Sequence, residues 1–132
     1  DTIYINNFKI RFSGIDAPES YFKGKSQTCN SLTNGEKIFC GNISKKVLKD
    51  KIKNQFVICI PENIDRYKRI IAECFLKQES ISSFMVRNGY AFDYVKYSKG
   101  KYQSEQNFAK ENKLGLWAMK FEYPWSWRKI NK

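Results

Sequence analysis

The segment RFSGIDAPES, residues 11–20, places two carboxylates and an arginine close together at the end of a predicted strand. Asp16 and Glu19 lie on either side of Pro18, whose ring fixes its own φ and biases Ala17 towards an extended conformation. The chain contains no histidine, which excludes imidazole bases, Ser-His-Asp catalysis and histidine-ligated zinc. Any chemistry here must therefore use carboxylates, arginine, lysine, tyrosine or a hard metal ion.

A predicted hairpin brings a further carboxylate to this segment. Residues 2–5 and 8–15 alternate as two strands around an Asn-Asn turn, so Asp1 is predicted to lie beside Asp16. Carboxylates gathered without histidine are typical ligands of Ca²⁺ or Mg²⁺. The sequence therefore predicts a hard-oxygen metal site where the two strand ends meet.

Neighbouring residues are predicted to complete this site. Ala17, held extended by the following proline, would aim its carbonyl oxygen at the same ion. Glu19 follows the kink and is predicted to be a base that activates water. In the second strand Ile10 and Phe12 share a face, so Arg11 points to the opposite one. The alternative is a turn with surface acids and no chemical role.

A second cluster, DRYKR at residues 65–69, carries cations around Tyr67. Its arginines, Arg66 and Arg69, suit a phosphate because the guanidinium fork is bidentate and its charge is kept at any working pH. A phosphodiester attacked by water gathers negative charge, which two arginines and a divalent cation would stabilise. The alternative for this cluster is a solvated loop.

The whole chain is strongly basic, with 24 Lys and Arg against 13 Asp and Glu and a formal net charge of +11. This excess favours a polyanionic partner, because each neutralised phosphate releases a counterion. Composition does not separate nucleic acid from a membrane surface, and a basic protein without such a partner is the alternative. No apolar run approaches the roughly 20 residues of a membrane helix. We therefore expect no membrane segment in this chain, and we expect a monomer.

The four cysteines include no C-x-x-C pair, which disfavours a zinc site and favours two disulfides in an oxidising compartment. Three connectivities are possible. A hairpin of the two apolar runs around Cys59 and Cys74 would place that pair within bonding distance and leave Cys29–Cys40 to close the preceding loop. Four buried free thiols in a cytosolic protein are the alternative.

The remaining patterns predict the elements that position these groups. Periodicity and capping residues indicate strands at 56–60 and 70–76, a helix capped by Asn42, a short helix capped by Ser80, and a helix over 102–113. Residues 16–41 are predicted to be loop-like, and the tail FEYPWSWRK to pack irregularly on the surface. This order favours a single α+β domain over residues 1–132, a small antiparallel OB-like β-barrel with three helices packed at its side.

Several motifs in the same order resemble the staphylococcal nuclease (SNase-like) family over nearly the whole chain. The matching stretches are DT at 1–2, IRFSGIDAPES at 10–20, DRYKRIIAECF at 65–75, MVRNGYA at 85–91 and the E-x3-A-x5-GLW pattern from Glu105 to Trp117. The resemblance implies a Ca²⁺-dependent nuclease, a phosphodiesterase that hydrolyses DNA and RNA with low sequence specificity.

The resemblance also assigns residues to the metal ion and to the substrate. At the scissile phosphate, the resemblance implies that Asp1 and Asp16 are carboxylate ligands of calcium and that Ala17 is its carbonyl ligand. It implies that Glu19 is the general base. Arg11 and Arg69 correspond to catalytic arginines that clamp the phosphate. The residues further along the substrate are Arg66 and Tyr67 near a terminal phosphate, and Tyr94 and Tyr97 near the nucleotide-stacking tyrosines.

Two features depart from the family pattern. The family has a strand before Asp1 that is absent here, so we expect a mature or trimmed form whose barrel is one strand short. The family usually has glycine at the position of Lys68, which predicts a different turn before Arg69. The cysteines and the YPWSWRK tail resemble secreted or periplasmic bacterial members, and the resemblance therefore implies that location.

Two other classes of protein remain as alternatives. A non-catalytic OB-fold module would hold single-stranded nucleic acid by the same basic groove and tyrosines. The full set of predicted catalytic residues argues against it, because degenerate members tend to lose such residues. A structural protein would use Trp117, Trp125 and Trp127 as an exposed association patch.

Overall fold

The computed structural model describes residues 1–132, in which short strands alternate with helices. The strands are β1 (Thr2–Ile5), β2 (Phe8–Phe12), β3 (Ile15–Asp16), β4 (Cys29–Ser31), β5 (Lys37–Ile38), β6 (Ile58–Ile64), β7 (Ile70–Leu76), β8 (Glu79–Ser80), β9 (Phe92–Asp93) and β10 (Met119–Lys120). The helices are α1 (Cys40–Ile52), α2 (Ile81–Arg87), α3 (Val95–Ser98), α4 (Gln103–Glu111) and α5 (Pro124–Ile130), with a 3-10 turn at Gly115–Ala118. None of these helices combines the length and the apolar character needed to cross a membrane.

The main sheet has five strands, in the order β1-β2-β7-β6 with β8 paired to β7 beside that path. Neighbouring strands are antiparallel except for β2 and β7, which are parallel. Two smaller sheets, β10-β4-β5 and β3-β9, complete the pairing. The predicted α+β class is confirmed. The parallel pair differs in detail from the prediction, because strands joined by a long crossover lack the local turn signals of a hairpin.

The first hairpin brings one predicted metal ligand, Asp1, and the predicted arginine Arg11 to one end of the main sheet. β1 pairs with β2 so that Thr2 lies opposite Arg11, and the Phe12 N–H donates to the Asp1 carbonyl at 2.9 Å. Ile10 and Phe12 are buried in the core, as their predicted common face requires. The alternation of a strand therefore turns Arg11 away from the core.

A glycine turn separates this hairpin from the next ligand. β2 ends at Phe12, earlier than the predicted strand over 8–15, because Gly14 adopts a φ of +75° and redirects the chain. The residues that follow form β3, in which Asp16 lies opposite Phe92 of β9. The Tyr94 N–H donates to the Gly14 carbonyl at 2.9 Å and holds the turn against the segment after β9.

A disulfide, not a capping residue, marks the start of the first helix. α1 begins at Cys40, ahead of the predicted cap Asn42, and Phe39 before it makes no side-chain capping bond. The predicted loop over 16–41 contains β4 and β5, and Cys40 is bonded to Cys29 of β4 with Cα atoms 5.7 Å apart. Tertiary packing and a covalent bond therefore determine where α1 begins, and local capping signals do not predict this position.

Two further segments are more regular than predicted. β6 runs through Pro61, with a register irregularity between Pro61 and Asn63, and proline is tolerated because β6 is an edge strand. The tail is not irregular, because Pro124 begins α5 in the position that its fixed φ favours. With the short α3, the structure has five helices where the sequence predicts three.

The aromatic residues of the tail cover a second, smaller core centred on Phe92. Trp117 and Trp125 meet the Phe92 ring with centroids 5.4 and 6.3 Å apart, and Trp127 meets Phe22 edge-on at 6.0 Å. All three tryptophans are partly buried. The association patch that a structural protein would need is therefore not formed by these side chains.

Both predicted disulfides are present. Besides Cys29–Cys40, the structure contains Cys59–Cys74, which joins β6 to β7 with Cα atoms 4.0 Å apart. The two half-cystines lie opposite each other in the antiparallel register, as the predicted hairpin requires. This bond ties the edge strand β6 to the centre of the main sheet.

Removal of the Cys59–Cys74 crosslink should destabilise the protein. The bonded residues are 15 apart in sequence, and closing a loop of about that size stabilises a protein by about 3 kcal/mol in the chain-entropy model. We expect the Cys59→Ala/Cys74→Ala variant to lose about 3 kcal/mol of unfolding free energy, measured by urea denaturation. An unchanged urea midpoint and slope would contradict this expectation.

Candidate active site

Three carboxylates converge where the first hairpin meets the segment after β3, and we call them the acid cluster. Asp1, Asp16 and Glu19 each offer an oxygen, and these oxygens lie within 4.8 Å of one another. The Asp1 carboxylate accepts from the Ala17 N–H at 3.3 Å and from the Thr2 hydroxyl at 3.2 Å. The structure thus brings the predicted carboxylate ligands together. It gives Ala17 a backbone contact with them, and the ligand role of the Ala17 carbonyl stays a prediction.

Arg11 lies beside the acid cluster. Its Nη1 donates to the Phe12 carbonyl at 2.7 Å, while its Nη2 lies 3.6 Å from Asp1 and 3.9 Å from Asp16. Burial lowers the pKa of Arg11, and the charge of Asp16 opposes that shift. The guanidinium therefore makes its short hydrogen bond to the backbone and keeps only long ion pairs with the carboxylates.

The cation in closest contact with the acid cluster is Arg128 of α5, which the sequence motifs did not reveal. Its Nη1 and Nη2 donate to the two oxygens of Asp16 at 3.0 and 2.6 Å, and Nη1 lies 3.8 Å from Glu19. The Asp16 side chain is only 1% exposed, so this bidentate pair compensates a carboxylate that water barely reaches. Burial by itself lowers the pKa of Arg128, but the hydrogen bonds to Asp16 and the charges of Asp16 and Glu19 together outweigh that effect, so the pKa is raised.

Part of a signal for Arg128 exists in the sequence. Pro124 is typical of the first turn of a helix, and Trp125 and Arg128 then lie three positions apart on one helical face. The contact itself joins residues 112 positions apart. No local pattern predicts such a pairing.

A second residue that the sequence analysis missed, Gln27, holds the backbone of Glu19. The Gln27 side-chain oxygen accepts from the Glu19 N–H at 3.1 Å, and the Gln27 N–H donates to the Glu19 carbonyl at 2.8 Å. The Gln27 side-chain nitrogen donates to the Glu122 carbonyl at 2.8 Å, and Gln27 is fully buried. Gly41 lies so close to the Glu19 carbonyl that an added Cβ would collide with it. The start of α1 and the tail therefore both fix the position of Glu19.

The Glu19 carboxyl titrates differently from an exposed glutamate. Burial raises its pKa, the charge of Arg128 opposes this shift, and the charge of Asp16 adds to it. Its side chain is still 22% exposed, so solvent reaches this member of the acid cluster. Glu19 therefore combines access to water with a raised proton affinity.

Asp65 organises the DRYKR turn between β6 and β7. Its carboxylate accepts from the N–H groups of Tyr67 and Arg69 at 2.9 Å each and pairs with the Arg69 Nε at 2.7 Å. Lys68 has a φ of +63°, the left-handed conformation that glycine adopts most easily. The Arg66 guanidinium lies 5.0 Å from the centre of the Tyr67 ring. The turn thus holds Arg69 by its Nε and leaves the two Nη groups outside that ion pair.

The two predicted stacking tyrosines differ in accessibility. Tyr94 stacks on Trp125 with ring centroids 5.0 Å apart and planes 9° apart, and Tyr97 meets the Tyr94 ring edge-on at 4.9 Å. Tyr97 is 63% exposed and Tyr67 is 65% exposed. Tyr97 and Tyr67 therefore offer ring faces to a ligand, whereas one face of Tyr94 is already covered.

One cleft of about 1490 Å³ joins these parts. It is lined by every predicted site residue except Ala17: Asp1, Arg11, Asp16, Glu19, Arg66, Tyr67, Arg69, Tyr94 and Tyr97. Its wall also carries cations that the sequence analysis did not assign: Lys9, Lys23, Lys96, Arg128, Lys129 and Lys132. Pockets for small molecules are usually about 300–1,000 Å³, so the cleft has room for a longer polyanion.

The donor set of the acid cluster fits a hard divalent cation. Asp1, Asp16 and Glu19 supply only oxygen ligands, which Ca²⁺ and Mg²⁺ prefer. Arg128 is bonded to both oxygens of Asp16, so an ion that uses Asp16 must compete with this guanidinium. The cleft therefore contains oxygen ligands that suit a hard cation, guanidinium groups that suit an anion, and exposed aromatic rings.

The chain is similar to known nucleases over most of its length. The profile of the family "Staphylococcal nuclease homologue" matches residues 9–119. Staphylococcal-like nuclease CAN1 of Arabidopsis thaliana is 28% identical over 131 residues, covering 98% of this chain and 36% of that protein. An uncharacterized endonuclease of Haemophilus influenzae is 32% identical over 128 residues, covering 96% of this chain and 63% of that protein. The chain thus spans between about a third and two thirds of the length of these relatives.

Replacement of Gln27 should destabilise the protein, because Gln27 makes the hydrogen bonds that hold the Glu19 backbone. Gln27→Leu keeps the volume but leaves the Glu19 N–H and the Glu122 carbonyl without their partner, and a buried unpaired polar group costs about 1–3 kcal/mol. We expect a loss in that range, measured by urea denaturation. The matched control is Gln103→Leu on the exposed surface of α4, for which we expect a change within about 0.5 kcal/mol. Equal losses in the two variants would contradict this account of Gln27.

Proposed function

Because the chain belongs to the staphylococcal nuclease family, we propose that it is a metal-dependent nuclease that hydrolyses the phosphodiester bonds of DNA and RNA with low sequence specificity. The observation that carries the proposal is the meeting of the acid cluster with Arg11 and Arg69 in one cleft. Phosphodiester hydrolysis needs a base for water and positive charge for the phosphoryl oxygens, and this cleft contains groups of both kinds.

The proposed metal ion is Ca²⁺, with Asp1, Asp16 and the Ala17 carbonyl as its protein ligands. The oxygen-only donor set supports this choice, because Ca²⁺ takes carboxylate and carbonyl oxygens in flexible geometries. When bound, the ion supplies Lewis-acid polarisation of the phosphoryl group. Asp16 is the ligand whose environment the fold controls most closely, since its side chain is almost fully buried.

Glu19 is the proposed general base, which takes a proton from the attacking water. Its raised pKa makes the carboxylate a stronger base than an exposed glutamate, and its partial exposure lets water reach it. The bonds from Gln27 and the close approach of Gly41 restrict the movement of the Glu19 backbone. The base is therefore held in place before the substrate arrives, which reduces the entropic cost of the reaction.

Arg11 and Arg69 are the proposed phosphate clamp. The Arg69 Nε is held by Asp65, so its Nη groups are presented at a defined position without a bond to that carboxylate. Arg11 is anchored by the Phe12 carbonyl and keeps only long ion pairs with the acid cluster. Two fixed guanidinium groups would stabilise the negative charge that gathers on the phosphoryl oxygens in the transition state.

The cleft favours single-stranded nucleic acid without a preferred sequence. Its lysines and arginines would contact phosphates, which carry no sequence information, and the exposed rings of Tyr67 and Tyr97 suit bases of any kind. Arg66 beside Tyr67 is the proposed contact for a terminal phosphate. We also propose a secreted or periplasmic location, because two structural disulfides are typical of oxidising compartments.

Replacement of Glu19 with Gln should remove the base and keep the fold. General-base catalysis contributes about 10²–10⁴-fold, so we expect a loss of cleavage in that range, measured on plasmid and single-stranded DNA. Wild-type cleavage should increase with pH beyond the usual carboxylate range, because burial raises the pKa of Glu19 and the base must lose its proton. The matched control is Glu36→Gln, an exposed position between β4 and β5 that should cleave normally. Normal turnover in Glu19→Gln would remove the proposed role of Glu19.

Chelation separates the nuclease from a binding module. In excess EGTA we expect cleavage to stop and to return when Ca²⁺ is restored, because the acid cluster would then lack its ion. The measurement is a gel assay of single-stranded DNA with and without Ca²⁺, together with a gel shift for binding. Full cleavage in EGTA would contradict the metal requirement, and binding without cleavage under any condition would favour the non-catalytic module.

A further inference from the structure

We propose that Arg128 is an internal counter-cation of the metal site, which holds Asp16 in the metal-free chain and must release it when a divalent cation binds. The inference rests on the proposed metal-dependent function. It goes beyond that function by assigning a role to a residue of the tail, because Arg128 then determines how tightly the site binds its ion.

The contacts of Asp16 support direct competition. Both of its oxygens accept short hydrogen bonds from Arg128, and the side chain is 1% exposed. A divalent cation would have to approach the same oxygens from within the acid cluster. The guanidinium charge would repel that cation, and water barely reaches the Asp16 side chain to screen the repulsion there. The two cations therefore compete for Asp16, because their mutual repulsion makes full contact with both unfavourable.

The two arginines at the acid cluster are not equivalent in this competition. Arg11 approaches the carboxylates no closer than 3.6 Å and uses its short hydrogen bond on the Phe12 carbonyl. Arg128 bonds both oxygens of Asp16 and also lies 3.8 Å from Glu19. Displacement of Arg128 is therefore the step that exposes the buried ligand.

The helix that carries Arg128 is held in place without the ion pair. Two tryptophans of α5 pack against other segments: Trp125 stacks on Tyr94 with ring centroids 5.0 Å apart, and Trp127 packs against Phe22 at 6.0 Å. The Arg128 side chain is 25% exposed and lies on the wall of the cleft. Binding of a cation thus requires a movement of one long side chain into the cleft, with α5 remaining docked.

This arrangement would raise the concentration of the metal ion that is needed to fill the site. Without Arg128, the carboxylates of Asp1 and Asp16 would bind the ion more tightly. With Arg128 present, its bonds to Asp16 must first be broken, and this cost weakens the binding of the ion. The protein would then be loaded only where the cation is abundant. The same bond keeps the buried charge of Asp16 compensated when the ion is absent.

The test is the calcium affinity of Arg128→Met, which keeps the apolar stem of the side chain and removes its charge. Isothermal titration of Ca²⁺ into the metal-free protein, without nucleic acid, should show binding roughly tenfold tighter than in the wild type, since a charge-assisted hydrogen bond contributes about this factor. The matched control is Lys129→Met, which removes the same charge from the adjacent residue of α5 on the same cleft wall. We expect it to bind Ca²⁺ with nearly wild-type affinity.

A second measurement covers the stability of the variant. In EGTA, Arg128→Met should unfold at a lower temperature than the wild type, because Asp16 loses its partner, and Ca²⁺ should raise its Tm by more than it raises that of the wild type. If Arg128→Met does not fold without metal, Arg128→Lys provides the affinity measurement. We expect Arg128→Lys to bind Ca²⁺ more tightly than the wild type and Lys129→Met, but by less than tenfold. If Arg128→Met binds Ca²⁺ no more tightly than Lys129→Met does, the proposed role of Arg128 is wrong, while the proposed metal site is unaffected. Absence of calcium binding to the wild type and to every variant would overturn the proposed metal site and this inference together.

Discussion

The structure depends on a buried carboxylate. Asp16 lies in a two-residue strand that lines the cleft, and its side chain is almost fully removed from water. An isolated charge in that position would be very unfavourable, so the fold supplies a guanidinium from the opposite end of the chain. The tail helix, its aromatic contacts and the glycine turn before Asp16 all serve to bring these two groups within bonding distance.

The neighbouring Glu19 shows how a disulfide can support a site that it does not touch. Cys40 begins α1, and the next residue, Gly41, lies directly against the Glu19 carbonyl. The partner Cys29 follows closely after Gln27, whose backbone and side chain bond both polar groups of the Glu19 backbone. The crosslink therefore holds together the two segments between which Glu19 is seated.

The cleft contains groups of both charges. The three carboxylates of the acid cluster lie close together with Arg11 and Arg128 beside them, and the other residues that line the cleft include several lysines. The lysines would attract a polyanion, whereas the acid cluster would attract a small cation. The net charge of +11 thus does not conflict with a cation site, because the acids that would hold the cation are concentrated and partly shielded from solvent.

Local patterns determined much of this protein. The alternation of β2 placed Arg11 away from the core, Ser80 caps α2 as predicted, and the spacing of apolar runs paired Cys59 with Cys74. These features depend on residues close in sequence or on a single hairpin, so the types and order of residues are enough to find them. The membership of most site residues in two short motifs made the candidate site visible for the same reason.

Only the tertiary structure decided the partners of those residues. The parallel pairing of β2 with β7, the bond of Arg128 to Asp16 and the seat that Gln27 forms for Glu19 all join segments that no periodicity or capping signal connects. Such contacts form because a buried charge needs a compensating partner and a buried polar group needs a hydrogen bond. Those requirements act on the complete fold, and they arise only after distant segments have packed against each other.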